Sequence, residues 1–205
     1  MKKMILIGGG GHCHSCIDVI EASINYEVAG IIEKDGYESS QCMGYPILGN
    51  EDSLAELFKH YKSALITIGQ IKNASKRSHL FNTISLLGFE FPIIISPTAY
   101  VSRHSQIGSG TIIMHMALIN ANVKIGENCI INSQALIEHD TTIESHCHIS
   151  TSVKINGCVY IGSSTFIGSG AIIHQGIFIG NNCIIGAGAI VFQNLPSGTT
   201  FKNSK

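Results

Sequence analysis

Residues 101–191 read VSRHSQ-IGSGTI-IMHMAL-INANVK-IGENCI-INSQAL-IEHDTT-IESHCH-ISTSVK-INGCVY-IGSSTF-IGSGAI-IHQGIF-IGNNCI-IGAGAI-V. The first letter of every hexad is Ile or Val, from Val101 and Ile107 through Ile185 to Val191. If about a quarter of residues were aliphatic, an unbroken series of this length would arise by chance on the order of one time in a billion. Two residues before each aliphatic stands a mostly small side chain, as at Ala99, Thr111, Ala117, Cys129, Ala135, Cys147, Ala171, Cys183 and Ala189. A repeat of six is the signature of a parallel β-solenoid, in which each repeat buries its face only by stacking on the next. Alternate strand residues share a face, so the aliphatic and the small residue both point inward. Gly often follows the aliphatic, as at Gly108, Gly126, Gly162, Gly168, Gly180 and Gly186, where it suits a tight corner.

The 205-residue chain has room for this solenoid and one further domain. A net charge of −1 leaves no footprint for nucleic acid. There is no basic stretch leading into a long apolar run, so neither a signal peptide nor membrane insertion is expected. Of seven cysteines, Cys129, Cys147 and Cys183 fill the small inward slot of the repeat, which suits a reducing compartment and predicts a cytoplasmic protein. Cys13 and Cys16 form a lone C-x-x-C in a Gly-rich turn with no second pair, a poor zinc or redox motif.

Before the solenoid, strands alternate with helices. Strands are predicted at 3–7, 28–32, 64–68 and 89–95, and helices at 14–25, 51–61 and 74–87, with Asn50 capping the second. This pattern is that of a small parallel α/β domain over residues 1–95, followed by a solenoid domain over residues 98–200. The first strand runs into Gly8-Gly9-Gly10-Gly11-His12. Glycines at the mouth of a helix let backbone amides face an anion, so the turn is a candidate phosphate site as well as a plain strand-to-helix connection. Gly8, Gly10 and Cys13 only approximate the dinucleotide fingerprint, and the domain is short, which favours a mononucleotide diphosphate.

The glycine cluster, the P-I-L-G segment from Pro46 to Gly49, the Ile68-Gly69 turn and the solenoid together resemble the PglD/NeuD family of left-handed β-helix (hexapeptide-repeat) sugar acetyltransferases over nearly the whole chain. The resemblance implies three hexads per triangular coil, so that residues 18 apart stack, and about five coils without a long interrupting loop. It also implies acetyl-CoA as co-substrate, with no metal, and a homotrimer. The substrate is a UDP-linked 4-amino-4,6-dideoxy sugar in PglD-type members; a nonulosonic acid such as sialic acid, acetylated on oxygen, is the NeuD-type alternative. Residues matching the family's nucleotide contacts are Gly10, Gly11 and His12, then Glu33 and Lys34, where Lys34 replaces an acidic residue.

The segment from Ile131 to Asp140, followed by His148-Ile149-Ser150, matches the motif around the family's catalytic histidine. It assigns His139 as general base, Asp140 as its support and Asn132 to substrate. His139 lies two residues past an inward Ile, so it should point outward, and Ala121 and Gly157 one coil away leave space around it. A neighbouring carboxylate raises a histidine's basicity and fixes its tautomer, which suits proton removal from an amine attacking a thioester. No Ser or Cys stands beside this base within the motif, so direct attack without an acyl-enzyme is expected. By the same resemblance His148, Gly157, Gly168, Ser169, Gly186, Ala187 and Gly188 contact CoA, with a backbone N–H near Gly157 facing the oxyanion. His148 is half a coil from His139, about 20 Å across the triangle at ~3.3 Å per residue, so a shared site requires two chains. His104, His115, His146 and His174 form no stacked triad for zinc, and His115 and His146 are expected at the subunit interface or in solvent. The segment from Pro196 to Lys205 departs from the family's G-x-P-A-like close, which predicts either the lack of a CoA-capping tail or an altered or degraded CoA site. A non-catalytic solenoid is the alternative of another class.

Overall fold

The computed structural model describes residues 1–34, 36, 37 and 39–202. It is an α/β domain joined to a left-handed β-helix. In the first domain β1 (Lys2–Ile7), β2 (Tyr26–Ile32), β4 (Tyr45–Gly49) and β5 (Ser63–Ile66) are parallel, and β3 (Gln41–Cys42) adds an antiparallel edge in the order β3-β4-β2-β1-β5. The β3–β4 hairpin, which the sequence reading passes over, turns through Met43 and Gly44 at φ 49° and 83°. Two positive φ values are what a two-residue type I′ turn requires.

Helix α1 (Gly11–Glu21) buries Cys13, Cys16, Ile17, Val19 and Ile20. The two thiols serve as small apolar side chains there, and burial pushes Cys13 up to about 12. Helix α3 (Ser75–Leu86) buries Arg77, Leu80, Phe81 and Ile84. The expected second helix is short, a 3₁₀ turn at Glu51–Ser53 leading into α2 (Leu54–Leu57), but its Asn50 cap is present and accepts from the Asp52 amide at 3.0 Å.

In the β-helix, two-residue strands recur every six residues and pair with strands 18 residues away, as Ile130–Ile131 do with His148–Ile149. Three parallel faces result. The Ile series from Ile113 to Ile185 is buried almost without exception, and the small slot residues are buried with it. Slot threonines are satisfied across coils: Thr111, Thr141 and Thr165 donate to the carbonyls of Gly126, Asn156 and Gly180.

Two expectations change. The strand predicted at 89–95 does not close the α/β sheet. Glu90 makes a single bridge to Ser63, Pro92 lacks an amide for a ladder, and Ile94–Ile95 pair with Ile112–Ile113 as the first rung of the solenoid. The corner glycines also play a different part. The left-handed residue of each hexad lies three places after the aliphatic, at Met116, Asn122, Asn128, Gln134, Asp140, His146, Ser152, Cys158, Ser164 and Asn182. A Cβ on Gly168, by contrast, would stand 2.6 Å from the Ala187 nitrogen, so the glycine after the aliphatic is there because the next coil leaves no room. At the far end Thr200–Phe201 pair with Ile184–Ile185; residues 203–205 of the closing segment lie outside the described residues.

The two halves share a core. Cys13, Cys16, Ile17 and Ile20 of α1 cluster with Ile94, Ile112, Met114 and Ile130 of one β-helix face. Arg77 is 1% exposed and bridges the junction. Its Nη1 donates to the carbonyls of Ile66 and Ile68 at 2.9 and 2.6 Å, and its Nη2 to Oδ1 and the carbonyl of Asn128 at 2.7 and 3.2 Å. His115 and His146, expected in solvent or between subunits, also lie at this junction. His115 bonds Asp18 of α1 at 2.8 Å through Nε2 and Ser96 at 2.7 Å through Nδ1, and His146 meets the edge of Phe81.

Candidate active site

A cleft of about 890 Å³ opens between the C-terminal ends of β1 and β5 and the β-helix. Gly10, Gly11, His12, Glu33, Lys34 and Asn132 all line it, so the structure brings together every residue expected to hold substrate. The α1 N-terminus has no side-chain cap and no acidic residue in its first turn, and a Cβ on Gly10 or Gly11 would meet nothing within 4 Å. Free amides, the positive end of the helix and open space above them make an anion seat. Lys72 and Lys76 add charge from the segment after β5, a contribution the sequence reading missed. Glu33 is already engaged: its carboxylate accepts from the amides of Gly9 and Lys34.

His148 also lines this cleft. Its Nδ1 lies 2.6 Å from the carbonyl of Gln70, so Nδ1 carries the proton, and Nε2 faces the Asn132 amide at 3.4 Å. Within the chain it shares the cleft with His12 and Asn132, and its ring also meets Phe166 of the next coil edge-on, with ring centroids 5.2 Å apart. Burial holds His148 down at about 4, and burial together with the Arg77 charge holds His12 at about 3. Both rings are neutral at physiological pH.

His139 does not line the cleft; it stands at the corner after Leu136–Ile137. Its side chain is half-exposed, and Nδ1 lies 2.7 Å from Oδ2 of Asp140. Asn122, one coil back, donates to Oδ1 of Asp140 at 2.7 Å. That bond first, and His139 second, hold the Asp140 carboxyl below its ordinary value. An ionised carboxylate only accepts, so Nδ1–H of His139 points at Asp140 and Nε2 keeps a free lone pair. Gly157 lies beneath the ring: a Cβ there would stand 2.8 Å from Cε1 and Nε2. Asn122 was legible as the residue 18 before Asp140. So was Cys158, 18 after it. The expectation that no thiol stands near the base holds within the motif but not in space, because the ligating atoms of His139, Asp140 and Cys158 all lie within 4.8 Å of one another.

Of the residues expected around CoA, Gly168, Ser169, Gly186, Ala187 and Gly188 fall at one corner of successive coils, with Ser169, Ala187 and Gly188 exposed, whereas Gly157 lies at the His139 corner and His148 in the cleft. The Gly188 amide donates to the Ser169 carbonyl at 2.8 Å, and Ser169 Oγ pairs with Ser150 Oγ at 2.8 Å.

The chain thus combines a hexapeptide β-helix, a small α/β domain, a glycine-lined cleft at their join and an exposed His–Asp pair. Residues 3–84 match the PglD N-terminal domain, residues 104–139 and 122–157 the bacterial transferase hexapeptide repeats, and residues 158–193 the hexapeptide repeat of succinyl-transferase. UDP-N-acetylbacillosamine N-acetyltransferase of Bacillus subtilis is 32% identical over 114 residues, 56% of this chain and 52% of that protein; the chain thus spans about half the length of that relative in the match. PerB from Caulobacter crescentus, solved with CoA and GDP-perosamine, is 30% identical with a TM-score of 0.90, covering 97% of this chain and 92% of that one. The acetyltransferase domain of PglB from Neisseria gonorrhoeae is 26% identical with a TM-score of 0.92, covering 99% and 97%. The chain belongs to the PglD/NeuD-like family of hexapeptide-repeat proteins. Among the described residues, no helix is long and apolar enough to cross a membrane.

Proposed function

We propose that this protein is an acetyl-CoA-dependent N-acetyltransferase of a nucleotide-linked 4-amino-4,6-dideoxy sugar in surface-glycan biosynthesis, with UDP as the leading nucleotide. The observation that carries the reading is the Asn122–Asp140–His139 array, which leaves Nε2 of His139 open beside Gly157. The sugar amine attacks the thioester carbon, and His139 takes a proton from the amine nitrogen. The tetrahedral intermediate collapses, and CoA leaves as thiolate, to which the imidazolium returns the proton. Asp140 orients the ring and stabilises its charged form. The diphosphate rests on the amides of Gly11 and His12, with Lys34, Lys72 and Lys76 around it. CoA lies along the corner of Gly168, Ser169, Gly186, Ala187 and Gly188. The CoA and GDP-perosamine bound to PerB support both ligand classes.

The cleft and His139 lie on different corners, so the site is composite and the active species is a homotrimer. The face ending at His139 supports this: its outward residues include Tyr100, Leu118 and Ile190, exposed by 61%, 37% and 38%. Free cysteines throughout the described residues support a cytoplasmic site of action.

The test is CoA release from acetyl-CoA with UDP- and GDP-linked 4-amino-4,6-dideoxy sugars and with free sialic acid, beside a His139→Ala control. Turnover of an amino sugar that disappears in the control supports the reading. Turnover of sialic acid alone moves the acceptor to a hydroxyl. Release with none, together with no thermal shift from CoA, leaves a non-catalytic solenoid.

A further inference from the structure

We propose that His139, Asp140 and Cys158 bind a thiophilic divalent cation, zinc or cadmium, and that the bound cation shuts off the base. The inhibitory part rests on the assignment of His139 above; the binding part does not.

Three donors of different chemistry meet at one exposed corner. The imidazole of His139, the carboxylate of Asp140 and the thiol of Cys158 place their ligating atoms within 4.8 Å of one another. A tetrahedral zinc site with bonds of about 2.0–2.3 Å has donor separations of roughly 3.3–3.8 Å, so modest side-chain rotation closes the set. The backbone is already fixed for it. Asp140 and Cys158 occupy the same left-handed corner position in adjacent coils, at φ 59° and 58°. The Cys158 amide donates to the His139 carbonyl at 2.9 Å. Asn122 holds the other carboxylate oxygen of Asp140 at 2.7 Å. Gly157 keeps the space beside the ring open.

Nitrogen, oxygen and sulfur donors together favour zinc and cadmium over magnesium or calcium, which take oxygen. Three protein ligands leave a fourth position for water. On binding, the Cys158 thiol releases its proton to solvent and its sulfur lone pair goes to the metal, while the cation shared with Asp140 takes Nδ1 of His139 and the ring proton is carried on Nε2 instead. An imidazole bound to the cation has no lone pair for the substrate amine, and transfer stops. Acetyl-CoA and the sugar are unchanged.

Cys158 is the exposed thiol among the described cysteines; the other six are buried. A cadmium titration of the native protein, followed by the ultraviolet thiolate-to-cadmium charge-transfer band, therefore reads this cluster. The band should saturate at one equivalent per chain and be lost in Cys158→Ser. Serine already occupies the same corner conformation at Ser152 and Ser164, so this variant is expected to fold. Asp140→Asn should weaken binding by at least the roughly tenfold seen for partners outside the metal shell. Zinc should inhibit acetyl transfer by the native protein, while Cys158→Ser keeps its basal turnover and needs at least about tenfold more zinc. A band of native intensity in Cys158→Ser, or equal zinc sensitivity of the two proteins, overturns the proposal. If no acceptor turns over, the catalytic reading fails while the cadmium titration still decides whether the metal site exists.

Discussion

Gly157 lies against the imidazole of His139 so closely that a single added methyl group would stand 2.8 Å from the ring. The ring and the glycine belong to successive coils whose backbones are tied by the Cys158–His139 hydrogen bond at 2.9 Å, so neither can back away without disturbing the stack. Gly157→Ala should therefore push the imidazole off its position. Misplacing a reacting group by about 1 Å costs on the order of a hundredfold. A fall in kcat of about 10- to 100-fold is expected, with a melting temperature close to that of the native protein because the ring can swing into solvent. Steady-state kinetics and a thermal melt on the same preparation test it.

In the proposed mechanism Asp140 and Asn122 act on His139 in sequence. Asp140→Asn puts an amide where the carboxylate accepts from Nδ1–H and should lower kcat by about 10- to 100-fold. Asn122→Ala removes one hydrogen bond to the carboxylate and should lower it about three- to tenfold. It also removes the first cause of the lowered Asp140 pKa. The Asp140 carboxyl then titrates at higher pH, and the acid limb of the kcat/KM profile moves upward. An unmoved limb would show that Asp140 does not control the base.

Arg77 is a buried cation whose acceptors are carbonyl oxygens and an amide. Burial lowers it to about 10, so it remains charged at neutral pH. Arg77→Met deletes the charge but strands the oxygens of Ile66, Ile68 and Asn128, each at about 1–3 kcal/mol. Destabilisation of at least ~2 kcal/mol is expected, a melting-temperature drop of about 4–8 °C. Arg77→Lys should recover little, because an ammonium cannot reach both sides of the junction in one fork. Chemical denaturation of the three proteins gives the comparison.

His12 and His148 set an acid limit on stability. Both are held well below the free histidine value of 6.5, to about 3 and about 4. The unfolded chain therefore takes up protons on these two side chains before the folded one does. Their contribution is complete above pH 6.5 and is lost as pH falls through about 4 and then about 3, with a slope of order 1 kcal/mol per pH unit for each ring. Urea midpoints between pH 7 and pH 4 should decline accordingly, and His12→Asn should make the decline shallower.

The hexad phase makes the solenoid readable because an inward residue every sixth place has no other economical explanation. The strand-and-glycine opening does the same for the α/β domain, and Gly10, Gly11, His12, Glu33, Lys34 and Asn132 converge on one cleft. What escapes is whatever depends on the join between the halves. An arginine in a short helix reads as a surface residue until Asn128, 51 residues on, is seen beneath it. His115 and His146 show no helical or strand signal of their own; their partners Asp18 and Phe81 come from the other domain. Cys158 differs from these: its relation to Asp140 is one of stacking and is legible once the sequence is written in rows of 18.

Asn122, Asp140 and Cys158 stand one above another because neighbouring coils differ by little more than a translation. Their alignment is thus a counting property of the chain. Removing one residue anywhere between them would turn inward side chains outward over the remainder of the helix, whereas excising a whole coil of 18 would restore the phase and deliver a different residue to each rung. Chemistry on such a column can be exchanged one rung at a time, since the rung above and the rung below take their positions from the backbone and not from the side chain between them.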